Sequence, residues 1–114
     1  MDTESLRDTP EILVVGSAEW LDAFTEELDA DEATIQRAET ATEALNTSQR
    51  TSVDCLVTEY TLAETTGIEL VRRLRESKPA LPIVLGTTDG TEAVASEAIN
   101  AGVTDYVALT TPDD

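Results

Sequence analysis

A chain of 114 residues holds one domain, long enough to bury a single core and too short for a second. Its 24 acidic side chains against 7 basic ones leave a formal net charge of −17, which sets it against nucleic acid and anionic membrane surfaces. Cys55 is the only cysteine and there is no histidine, which excludes an intrachain disulfide, a tetrahedral zinc site and a histidine-based hydrolase.

Residues 1–10 are polar and acidic and read as a flexible leader, with no apolar signal-peptide core. No run of about 18 apolar residues follows, so the expected setting is cytoplasmic. Glu11-Ile12-Leu13-Val14-Val15-Gly16 is a short apolar, β-branched run ended by glycine, the pattern of a buried strand. Ser17 stands as an N-cap before Trp20, Leu21, Phe24 and Leu28, whose spacing puts one apolar stripe on a helix reaching about Asp29.

Ala33 to Ala38 is more polar and predicts an edge strand. Thr40-Ala41-Thr42-Glu43 has the form of a capping box and opens a short helix through Leu45. Asp54 to Glu59 is a third strand, with Cys55 as a small core hydrophobe, and a loop with Ala63, Glu64 and Thr65 follows. Thr66-Gly67-Ile68-Glu69 is a second capping box, and Leu70, Val71 and Leu74 form a stripe opposed by Arg72, Arg73 and Arg75 on the solvent side.

Pro79 and Pro82 close that helix, and Ile83 to Thr87 makes a fourth strand. Asp89 is the expected cap of a helix carrying Val94, Ala95, Ala98 and Ile99, and Val103 to Leu109 makes a fifth strand. Strict alternation of strand and helix predicts an α/β fold with a parallel, doubly wound sheet.

Ile-Leu-Val-Val at 12–15, Asp-Cys-Leu-Val-Thr-Glu-Tyr at 54–60 and Ala-Gly-Val-Thr-Asp-Tyr at 101–106 together resemble response-regulator receiver domains. Gly67 and Leu81-Pro82-Ile83 fall at matching spacings. The resemblance covers about residues 11–109, leaving 110–114 as a tail, and implies a five-stranded sheet of order 2-1-3-4-5 in a two-component or phosphorelay setting. The spread-out acidity, with Lys78 the only lysine, also resembles proteins of salt-loving archaea.

The family's phosphotransfer uses an aspartate nucleophile after the third strand, an acidic pair after the first to hold Mg²⁺, a Thr or Ser after the fourth, and a lysine after the fifth. Here the resemblance places Gly16 and Ser17 at the acidic pair, Glu59 at the nucleophile and Leu109 at the lysine, and only Thr87 is retained. It implies a degenerate receiver without catalytic residues or Mg²⁺, acting on a protein partner such as a signalling kinase or output domain.

Alternatives stay open on the sequence. Glu19 and Glu64 lie near the same rim and could replace lost metal ligands in a receiver phosphorylated through non-standard residues. Gly86 to Thr91 is a hydroxyl-rich loop before a helix N-terminus, a pattern that favours small anions. Glu59 reads as a charge imitating the phosphorylated state by accepting from Thr87, as a relic, or as one solvated acid among many. Tyr106 matches the family's inward-turning aromatic or is an ordinary strand tyrosine. The fourth helix and fifth strand are the expected docking face. The family's final helix has no counterpart before the last residue, which predicts a sheet face left open and a homodimer formed through it.

Overall fold

The computed structural model describes residues 10–26, 34–87 and 91–108. The leader up to residue 9, Leu28 and Ala33, Asp89, Leu109 and the 110–114 tail lie outside these residues, as does the side chain of Phe24. Five strands, β1 (Glu11–Val15), β2 (Thr34–Ala38), β3 (Cys55–Glu59), β4 (Ile83–Thr87) and β5 (Asp105–Ala108), alternate with α1 (Ala18–Glu26), α2 (Ala41–Arg50), α3 (Gly67–Ser77) and α4 (Glu92–Ala101). All pairings are parallel and the order is β2-β1-β3-β4-β5, as the sequence predicts.

The chain turns back once, from β2 past β1 to β3. Right-handed crossovers then put α1 on one face and the later helices on the other. The packing follows this rule. Leu13, Val15, Leu56 and Ile83 meet Ala41 and Ala44 of α2 and Leu70, Val71 and Leu74 of α3. Leu85 meets Ile68 and Ala98 of α4 on the same side. On the opposite face Val14 and Val57 pack against Trp20 and Leu21 of α1, with Ile12, Ile35, Cys55 and Val84 partly buried around them. Among the described helices α1 alone covers this face, and Val107 of β5 remains 38% exposed there.

Helix starts follow hydroxyl caps. Thr40, Thr66 and Thr91 each accept a hydrogen bond from the backbone N–H three residues on, at Glu43, Glu69 and Val94. The cap of α4 is therefore Thr91 and not Asp89, the threonine being placed so that Ala98 falls against Leu85. Glu43 reaches back to the N–H of Glu39, one residue beyond the expected partner in a capping box. α2 runs past Leu45 to Arg50, because Ser48 turns its hydroxyl onto the carbonyl of Leu45 and can be buried without an apolar side chain.

Arg75 is not a solvent-side residue. Its guanidinium donates to the carbonyls of Gly102 and Lys78 and holds the α4–β5 turn against α3. Gly102 takes the left-handed conformation at φ 104, which ends α4 and delays β5 to Asp105 rather than Val103.

Two contacts from the β3–α3 segment fix the upper rim. Gly67 donates to the carbonyl of Tyr60 at 2.7 Å, and a Cβ at Gly67 would lie 2.4 Å from the carbonyl oxygen of Glu59 and 2.9 Å from Cδ1 of Leu85. Glu64 accepts hydrogen bonds from the N–H groups of Ala41 and Thr42 and from the Thr42 hydroxyl, so it ties the loop to the N-terminus of α2. Its carboxyl lies below the ordinary value, chiefly through the Thr42 N–H bond, against an opposing effect of desolvation. The Thr42 hydroxyl, the Ala41 N–H and the charge of Arg73 add to the lowering.

Replacing Gly67 with Ala forces β3 and α3 apart at a backbone atom that cannot give way. We expect a loss of about 3 kcal/mol in urea unfolding. A carboxyl lowered in the fold stabilises above its unfolded pKa and ceases to as pH falls through its folded value. The Glu64→Gln change should therefore lower the melting temperature at pH 7, and the difference from the parent should shrink below about pH 4, read by circular dichroism.

Candidate functional site

The strand order reverses between β1 and β3, and in open α/β sheets ligands bind outside the carboxyl ends of the strands at that reversal. Gly16 and Ser17 leave β1 there, and Glu59 ends β3 beside them. The Ser17 N–H donates to Oε1 of Glu59 at 3.0 Å, and the Ser17 hydroxyl accepts the Trp20 N–H at 3.3 Å as cap of α1. Gly16 is buried. A Cβ on it would stand 2.6 Å from Cε3 of Trp20, 2.8 Å from Oε1 of Glu59 and 3.2 Å from its Cβ.

Glu59 is thus drawn toward the β1 side of β3, whereas Thr87 ends β4 on the other side. Thr87 is 4% exposed, in register with Ala108. Tyr106 packs inward with Ile68, Leu85 and Ala98, and its hydroxyl is buried with no hydrogen-bond partner among the described residues. Of the positions singled out from sequence, the fold gathers Gly16, Ser17 and Glu59 at one point. Thr87 lies across β3 from the Ser17 contact and Tyr106 one strand further. Leu109 and residues 88–90 of the hydroxyl-rich loop are outside the described residues.

A shallow cleft of about 360 Å³ opens over this point, lined by Ser17, Ala18, Glu39, Glu59, Thr61, Leu62 and Ala63. Mg²⁺ takes near-octahedral oxygen ligands, and the two positions that follow β1 offer it no carboxylate. Gly16 brings no ligand, the Ser17 hydroxyl caps α1, and Glu59 accepts a backbone N–H. Among the described residues no group of three or more acidic, cysteine or histidine side chains could hold a metal ion. Glu64, a candidate replacement ligand on sequence, is bound to the α2 N-terminus, and Glu19 is an exposed residue in the first turn of α1.

Two contacts at the rim escape sequence reasoning. Trp20 reads as a core position of α1, and its ring also fills the space beside Gly16. The only sequence signal is an i, i+4 pairing of the smallest and largest residues at a strand-to-helix turn. The bonding of Glu64 to the start of α2 gives no signal, because its partners lie 22 and 23 positions away. Cys55 behaves as expected from sequence. Burial, and then the nearby charge of Asp54, push its thiol above the ordinary value and keep it protonated.

A family model described as the response regulator receiver domain matches residues 12–110. The transcriptional regulatory protein ResD of Bacillus subtilis is 32% identical over 80 residues, covering 70% of this chain and 33% of that protein. A chemotaxis protein CheY homolog of Campylobacter jejuni is 37% identical over 57 residues, covering 48% of this chain and 44% of that protein. The chain therefore spans less than half the length of these two relatives. Among solved structures, the signal receiver domain of an HD domain-containing protein from Pseudomonas fluorescens superposes with a TM-score of 0.79. It is 29% identical and covers 91% of this chain and 83% of the other. With this match added to the sheet order and to the meeting of Gly16, Ser17 and Glu59 at its switch point, the chain belongs to the response regulator receiver domain family.

Proposed function

We propose that this receiver acts by binding a protein partner and does not carry a phosphoryl group on an acidic side chain. The hydrogen bond from the Ser17 N–H to Glu59 carries the reading. Phosphoryl transfer to a carboxylate brings two anions together, and Mg²⁺ offsets that repulsion while the group moves. Here the acidic pair is a glycine and a serine, and the carboxylate at 59 is one carbon longer and turned toward the β1 loop.

The same bond supports a structural role for Glu59, holding the loop after β1 to the end of β3. The partner is a signalling kinase or an output domain, in keeping with the family. Its docking face is formed by α4 and β5, where Ile99 of α4 is 66% exposed. Nucleic acid is a poor candidate at a net charge of −17. That charge suits concentrated salt, which shortens the screening length to about 3 Å at 1 M and relieves self-repulsion.

A second copy of the chain is the partner proposed for the other face, where α1 covers Val14 and Val57 and leaves Val84 and Val107 partly open.

Titration with Mg²⁺ and beryllofluoride, followed by chemical shifts at Thr87 and Tyr106, should produce no saturable change. Saturable shifts would restore a conventional receiver. Light scattering in concentrated salt should return twice the chain mass, and a monomer mass would remove the second copy from the reading.

A further inference from the structure

We infer that Trp20 is the residue that closes the receiver's cation position in this chain, and that Gly16 is its consequence. The inference rests on the proposed function and names what enforces it. A Cβ at residue 16 meets two neighbours of different kinds. Oε1 of Glu59 belongs to the end of a flexible side chain and can rotate away. Cε3 of Trp20 belongs to a rigid ring whose residue is 9% exposed and packed with Val14, Leu21 and Val57. The ring cannot swing out without uncovering that cluster, so it and any side chain at 16 exclude one another.

Mg²⁺ needs ligand oxygens at about 2.0–2.1 Å in near-ideal geometry, and an acidic side chain at 16 must pass through the space the indole holds. Restoring carboxylates alone therefore leaves the position shut. The core on the α1 face reaches into the site through Trp20. Trp20 thus selects which ligands can approach, in a way that the identities of residues 16, 17 and 59 do not reveal.

The test compares two variants by calorimetric titration with Mg²⁺ alone. One carries Gly16→Asp, Ser17→Asp and Glu59→Asp; the other adds Trp20→Thr. The second should bind Mg²⁺ at least tenfold more tightly. Equal affinity, or no saturable binding by a second variant with native circular dichroism, would overturn the inference. A melting cycle guards against misfolding of these heavily altered proteins. Gly16→Ala should lower the melting temperature when Trp20 is present and leave it nearly unchanged alongside Trp20→Ala, whereas equal losses in both backgrounds would count decisively against Trp20. Beryllofluoride shifts in the parent chain would remove the proposed function without altering the outcome of this cycle.

Discussion

The carboxyl ends of β1 and β3 lie one strand spacing apart, about 4.8 Å, and everything built at this end of the sheet must fit that gap. In this chain the gap is filled by a hydrogen bond and an aromatic ring. The Ser17 N–H meets Oε1 of Glu59, and the Trp20 ring closes on the backbone of Gly16. The bond places a carboxylate close to the positive end of the α1 dipole, where a negative charge is favoured. It also joins the segments that follow β1 and β3. Both parts depend on residue 16 having no side chain.

Glu64 extends the same logic to α2. Five residues beyond Glu59, it satisfies the N–H groups of Ala41 and Thr42, so one segment of chain supports the starts of two helices. Unpaired N–H groups at a helix start otherwise need water or a ligand. Among the described residues most carboxylates are exposed, and at a net charge of −17 such charges repel one another. These two are held by backbone donors, and their positions shape the rim.

Much of the fold was legible because its causes are local. Apolar runs such as Ile12 to Val15 and Leu56 to Val57 read as buried strands, and Thr40 and Thr66 mark helix starts through bonds three residues long. Boundaries set by tertiary contact were not legible. Asp89 and Thr91 are both able caps, and the choice is made by Ala98 packing on Leu85. Arg75 sits on the polar side of its helix by periodicity, yet carbonyls of Lys78 and Gly102 capture it. At the site, the identities of Gly16, Ser17 and Glu59 were readable, but the direction of the Glu59 carboxylate and the reach of Trp20 depend on rotamers fixed only by packing.

Tyr106 shows how finely this packing is balanced. Turned inward, its ring joins Ile68, Leu85 and Ala98, while its hydroxyl is buried without a partner among the described residues. Leaving a buried donor unpaired costs roughly 1–3 kcal/mol, against about 1.5–3 kcal/mol gained by burying a large apolar side chain. The two terms are of the same size, so among the described residues apolar contact alone holds the ring. A partner on the α4–β5 face that offered an acceptor to the hydroxyl would shift that balance directly. The energy difference between the inward ring and a released one therefore lies within the reach of one well-placed hydrogen bond.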